Sequence, residues 1–384
     1  MGKQKQKKQK QKTQKTQKPV KKGALVVVTT GGSGGHIFPA ESIAGALLKK
    51  GYRVVFVTDK RGSAFHSLPG VETYRLIAEP VARRSIFHKG IAVFKLFLGA
   101  VQAILLLQKL KPALVIGVGG YASFPAVMAA QVCRIPVVLH EQNAVLGRAN
   151  RILAKGARLV ATSFDPTLLV PEEIEQVRVG MPARPQILSV EKTPYPTDKD
   201  VFRLLIFGGS QGASFFSRRF PEVLIQLPES LQKKLIITQQ ARPEDKEALL
   251  DFYAGKPFRK VVVESFFDNM PDLLKEAHLV IARGGASTIT ELEIIGRPAI
   301  IVPLPTAADN HQMENARQFC DSGAGWLVNE KSFDPEQVAI RLTELIQKPE
   351  ILKEASEQAY ARARPNAANE VAVCIGKIIG EEHK

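Results

Sequence analysis

The chain has 384 residues, 45% of them hydrophobic, and a formal net charge of +16. Its length allows two domains with separate cores, and its composition is that of a soluble globular protein. Ten lysines and no acid fall in residues 1–22, leaving about +6 for the remainder, so the charge that suggests a nucleic-acid binder is largely confined to a tail.

Residues 1–22, lysine and glutamine with almost no apolar content, read as a disordered, solubilising extension. The apolar run Ala24–Val28 behind it is too short for a signal sequence and leads straight into a glycine loop. Cys133, Cys320 and Cys374 lie far apart with no CxxC and no metal spacing, which fits core residues in a reducing cytosol. No metal site and no cofactor is expected.

Leu25–Thr30 reads as a buried strand, residues 31–36 as a glycine loop and residues 38–50 as a helix, the opening unit of a Rossmann-like domain. The dinucleotide fingerprint fails, because Ile37 stands where its third glycine belongs. His36 follows the glycines at the helix mouth, where the positive end of the helix keeps an imidazole neutral; it is either a proton acceptor or a cap for its own turn. Residues 80–111 carry apolar residues at helical spacing between lysines. The charge-free run of about twelve residues is short of the ~18 needed to span a bilayer. Ile86, Phe87, Ile91 and Phe94, flanked by cations, form a candidate patch for an anionic membrane surface, although most of the stripe belongs against the sheet.

Residues 113–125 repeat strand, glycine loop and helix. The strand Ile135–Leu139 ends on His140, Glu141, Gln142 and Asn143, polar groups at the rim where doubly wound sheets bind ligands. Ala144 stands where a zinc HExxH would need its second histidine. These units form a first domain over residues 23–184, and residues 185–200, rich in proline, threonine and charge, form a linker. Residues 201–363 restart the pattern with Phe202–Phe207 and a glycine loop, predicting an α/β architecture of two Rossmann-like domains facing across a cleft. Residues 364–384 form a helix that packs back on the first domain.

The most informative stretch runs from His278 to Pro305: a short buried strand, the turn Gly284-Gly285, a helix that Ser287 or Thr288 can cap, and a second buried strand. Such a helix start aims free N–H groups and partial positive charge at one point, a seat for a diphosphate. Glu291 fits either ribose hydroxyls beside that diphosphate or a solvated first-turn carboxylate. Phe266 and Phe267 are core residues or flank a planar base, and His311, Gln312 and Asn315 place polar groups on neighbouring helical turns facing the cleft. No P-loop or nucleophile elbow occurs, and the one Asp-x-Asp, at Asp198 and Asp200, lies in the linker.

Taken together, the segments 31–39, 140–143, 181–184, 208–213, 283–291 and 309–315 resemble in order and spacing the MurG family of peptidoglycan glycosyltransferases, within glycosyltransferase family 28. The resemblance covers roughly residues 24–377 and leaves the tail outside. It implies a GT-B fold and inverting transfer of N-acetylglucosamine from UDP-GlcNAc to the 4-hydroxyl of undecaprenyl-linked muramyl-pentapeptide, at the cytoplasmic face of the cell membrane. Carried over by position, it implies a donor site that uses Ser33, Gly34 and Gly35, with Asn143 toward the sugar and Arg184 and Ser210 toward the diphosphate region. Phe267, Ala286, Ser287, Thr288, Ile289, Thr290, Glu291 and Gln312 would hold the nucleotide. The chain departs at Met181, Phe267 and Ser287, where the family favours Asn, Ile and Leu. For the general base the candidates are His36 and Glu141. The competing expectations are another enzyme on the same donor, a UDP-GlcNAc 2-epimerase or a lipid A disaccharide synthase, and a non-enzymatic nucleotide-sugar or RNA-binding module.

Overall fold

The structure is a computed structural model that describes residues 23–31, 34–59, 68–78 and 86–381, with the backbone alone described at 34, 86–94, 210–213 and 381. Strands β1 (Leu25–Thr29), β2 (Arg53–Thr58), β3 (Glu72–Arg75), β4 (Leu114–Gly117), β5 (Val137–Glu141), β6 (Leu159–Thr162) and β7 (Gln176–Arg178) make one sheet in the order β3-β2-β1-β4-β5-β6-β7. A second sheet holds β8 (Phe202–Phe207), β9 (Leu235–Gln240), β10 (Lys260–Glu264), β11 (Leu279–Ala282), β12 (Ala299–Ile301) and β13 (Gly325–Leu327) in the order β10-β9-β8-β11-β12-β13. All pairings are parallel.

Helices cover both faces of each sheet, among them α1 (Gly34–Lys49), α2 (Ile86–Leu110), α3 (Arg148–Leu153), α4 (Ala286–Ile295), α5 (His311–Asp321) and α6 (Ala367–Glu381). Parallel strands covered on both sides are buried throughout, which is why β11 and β12 read as unbroken runs of Val, Ile, Leu and Ala, and β1 and β4 do so up to their last residues, Thr29 and Gly117. Val371, Ala372, Ile375 and Ile379 of α6 join Ile43 and Leu47 of α1 in the core of the first sheet, so the chain crosses back onto the lobe where it began.

Some expectations differ from the structure. α1 begins at Gly34 rather than Phe38, taking His36 into its first turn and leaving Pro39 inside the helix. The glycines look like helix breakers in sequence, yet packing of Ile37, Ala40, Ile43 and Leu47 holds the helix through them. Residues 185–200 are not a free tether: Pro185–Leu188 forms one helical turn with Ile187 fully buried. The anchor beyond it is Arg297, whose buried guanidinium donates to the carbonyls of Thr193, Pro194, Leu274, Lys275, Ile295 and Gly296. Burial pushes its pKa down to about 10, so it remains a cation at neutral pH.

Candidate active site

The carboxyl ends of β1, β4 and β5 face those of β8, β10 and β11, the edge at which doubly wound sheets place their ligands. On the first lobe the loops after β1 and β4 touch backbone to backbone. A Cβ on Gly31 would lie 3.1 Å from the Gly120 Cα, and Gly119 and Gly120 both have left-handed φ, +84° and +80°. The ring of His36 rests on this glycine floor: a Cβ at Gly119 would lie 3.0 Å from both its Cε1 and its Nδ1. Burial lowers the pKa of His36, against the opposing pull of Glu141, a hydrogen bond to Gln142 and the Val118 carbonyl, while His311 across the cleft lowers it further. The imidazole is therefore neutral at pH 7, as the sequence reading expects, although burial is the larger cause. Gly119→Ala forces a strained φ and displaces the ring, so turnover should fall about tenfold or more with the fold intact, as kinetics beside circular dichroism would show.

His36 Nδ1 lies 3.1 Å from Gln142 Oε1. Gln142 Nε2 donates to Val118 O at 2.9 Å and lies 3.1 Å from His140 Nδ1, and His140 Nε2 lies 3.0 Å from Gly180 O. Glu141, the other candidate base, is differently placed. Its carboxylate accepts from the backbone N–H and the side-chain amide of Asn143, the N–H of Gly147 and the amide of Asn150, at 2.9–3.2 Å. Those bonds fold residues 141–150 into a loop that presents Asn143.

Asn143 then meets the second lobe. Its Oδ1 accepts from Asn315 Nδ2 at 3.2 Å; the same amide donates to Gly284 O at 3.0 Å, and Asn315 Oδ1 accepts from the N–H of Ala144 at 2.7 Å. One fully buried side chain on α5 thus joins the Asn143 loop to the glycine turn after β11. At the rim, Arg148 and Arg151 of α3 both bind Asp309, whose carboxyl is held below the usual range by the Arg148 hydrogen bonds.

On the second lobe Gly284 admits the backbone of α5: a Cβ there would lie 2.4 Å from Gln312 O. α4 starts at Ala286 with Gly285 as its N-cap and no side-chain cap, so neither Ser287 nor Thr288 closes it. The capping expectation fails because both hydroxyls lie inside the helix, past the position from which a side chain reaches back to N2 or N3. Behind the turn, Arg283 donates to Val302 O and Glu330 and lies over the rings of Phe215 and Phe216, fixing the strand end.

Ala286, Ile289, Thr290 and Glu291 are buried, with Ser287 and Thr288 half-buried between them. Glu291 is bound through Oε1 by Arg184, at 2.6 Å from Nη2 and 3.2 Å from Nε. Burial raises its carboxyl pKa while Arg184 lowers it. The Arg184 guanidinium also lies 5.7 Å from the Phe38 ring centre, and Arg184 and Phe267 both line a cavity of about 760 Å³ shared by α1, the linker and residues 266–271. Phe266 is outside the core at 72% exposure. Gln312 is turned to its own loop, with Oε1 accepting from the N–H of Leu304.

Ser33 lies outside the described residues; Gly34 and Ser210 are placed by backbone only, at the first turns of α1 and of the helix Gly209–Leu224. The side chains of Ile86, Phe87, Ile91 and Phe94 also lie outside the described residues, on the first turns of α2. Sequence reasoning passed over the role of Asn315 as a bridge and of Gln142 and His140 behind His36. The signal for the latter pair was present in the unbroken polar run 140–143.

Comparison with known proteins agrees with this geometry on both lobes. Residues 26–162 match the glycosyltransferase family 28 N-terminal domain and residues 203–371 its C-terminal domain. The chain is 43% identical over 363 residues to the UDP-N-acetylglucosamine--N-acetylmuramyl-(pentapeptide) pyrophosphoryl-undecaprenol N-acetylglucosamine transferase of Paramagnetospirillum magneticum, covering 93% of this chain and 98% of that protein. The enzyme of the same name from Rhodospirillum centenum is 43% identical over 358 residues, 92% of this chain and 94% of that one. Among solved structures, MurG of Acinetobacter baumannii superposes with a TM-score of 0.77 at 30% identity, covering 92% of this chain and 99% of that one. A putative UDP-N-acetylglucosamine 2-epimerase of Listeria monocytogenes, at 12% identity and a TM-score of 0.65 over 94% of this chain and 97% of that one, shares the fold alone. With two parallel-sheet lobes in the GT-B arrangement and both family domains matched in order, the chain belongs to glycosyltransferase family 28.

Proposed function

We propose that this chain transfers N-acetylglucosamine from UDP-GlcNAc to the 4-hydroxyl of undecaprenyl-pyrophosphoryl-N-acetylmuramyl-pentapeptide. The observation that carries the proposal is the pairing, across one cleft, of a neutral histidine on a glycine floor with an uncapped helix start after Gly284-Gly285. The names of the relatives supply the donor and acceptor. In an inverting displacement the acceptor oxygen bonds to the anomeric carbon as the bond to the diphosphate breaks, with the bonding electrons leaving on UDP. The acceptor proton passes to His36, since the oxygens of Glu141 are already committed to four donors. The free N–H groups of α4 and the cation of Arg184 stabilise charge developing on the leaving group. Glu291, with only Oε1 held by Arg184, offers its other oxygen to the ribose, and Phe267 lines the side on which the base lies.

The lipid acceptor calls for a protein that rests on the membrane. Among the described residues no helix is long and apolar enough to cross one. Further along α2, Phe97, Val101 and Leu105 remain exposed at four-residue spacing. This arrangement suits peripheral contact with an anionic leaflet. The decisive experiment mixes the protein with UDP-GlcNAc and a short-chain analogue of the lipid acceptor and weighs the products. A gain of one N-acetylglucosamine by the acceptor is expected. Conversion of the donor with no acceptor present would instead indicate an epimerase.

A further inference from the structure

The hydrogen bonds behind His36 form a chain whose polarity is fixed at its far end. Gly180 O can only accept, so His140 Nε2 carries a proton and His140 Nδ1, in the neutral ring, presents its lone pair. Burial lowers the pKa of His140, consistent with that neutral form. Gln142 Nε2 faces two acceptors, this lone pair and Val118 O, and satisfies both with its two hydrogens. Turning the amide over would set oxygen against oxygen at 2.9 Å. The amide orientation therefore follows from its neighbours, and Oε1 must face His36. A carbonyl oxygen facing Nδ1 requires a proton on that nitrogen, which leaves the lone pair of His36 on Nε2. The far end of the chain is rigid as well. Gly180 has φ +89°, and a Cβ there would lie 2.3 Å from the Cβ of Arg364, so its carbonyl is held where the C-terminal segment crosses back.

We infer that Gln142 and His140 are positioning residues that lock His36 in the Nδ1–H tautomer, so that the proton-accepting nitrogen of the active site is Nε2. The inference rests on His36 as the general base, while the tautomer itself follows from the hydrogen bonds alone. Gln142 does this without charge. A carboxylate at this position would instead favour the protonated ring and hold it out of use as a base.

The test joins spectroscopy to kinetics on the full chain. Nitrogen-15 NMR of histidine-labelled wild-type protein at pH 8 should show His36, assigned by its loss in His36→Ala, protonated at Nδ1 and bare at Nε2. In Gln142→Met, which keeps the volume and removes the amide, the two tautomers should mix. Its kcat should fall roughly ten- to a hundredfold, with the KM for UDP-GlcNAc within about twofold of wild type. A wild-type His36 protonated at Nε2 overturns the inference, and so does an unaltered kcat in Gln142→Met. Full turnover by His36→Ala would instead remove the base assignment while leaving the tautomer result standing. If Gln142→Met does not fold, the wild-type spectrum still decides.

Discussion

His36→Ala is expected to lower kcat by about a hundred- to ten-thousandfold while leaving the KM for the sugar nucleotide close to that of the wild type. That range is what a positioned general base contributes, and the split follows because the ring belongs to the first lobe whereas the nucleotide groups belong chiefly to the second. The pH dependence carries the same signature. The active form is the neutral imidazole, whose pKa burial lowers from 6.5. Activity should therefore rise with pH along a limb centred below the ordinary histidine value and be flat through neutrality. Among the described residues, Glu141, His140 and His311 are the titratable groups facing the ring; Glu141 pulls the limb upward and His311 pushes it down. In His36→Ala this limb should vanish. A variant that keeps the limb, or loses donor affinity in proportion to turnover, would assign the proton transfer to another group.

Arg297→Met is expected to be the most destabilising single substitution considered. The guanidinium closes the C-terminal ends of α4 and of the helix Met270–Glu276, and it ties Thr193 and Pro194 of the linker to both. Helix C-termini carry partial negative charge and orphan carbonyls, so one planar cation at their junction satisfies six acceptors at once. Methionine fills much of the volume and supplies no donor. The loss is about 3–5 kcal/mol, by analogy with removing one partner from a buried charged network, or a thermal midpoint lowered by roughly 10 °C. Arg297→Lys keeps the charge but not the fork and should fall between the two. A midpoint within about 2 °C of wild type would mean that the acceptors are satisfied otherwise.

The central strands and the glycine turns were legible in the sequence because burial on both faces leaves an unmistakable apolar run before each turn. The edge strands β3, β7 and β13 were not, since their residues are partly exposed and carry no such run. Glu291 and Arg184 were both named from the family pattern, yet nothing in their separation of 107 residues announces that they pair at 2.6 Å. The choice between His36 and Glu141 stayed open for the same reason. Whether a carboxylate is free or fully hydrogen-bonded depends on Gly147 and Asn150, which a motif does not include. Asn315 was read as a polar group facing the cleft, but its bridging role was missed because it lies in joining two distant loops, and local spacing carries no trace of that.

The Asn315 bridge also sets up a clock. Ala144 gives its amide hydrogen to a side chain rooted on the opposite lobe, so each separation of the lobes strips that hydrogen of its acceptor and lets solvent exchange it. Deuterium uptake at Ala144 therefore counts opening events, and saturating UDP should slow the count if nucleotide holds the halves together.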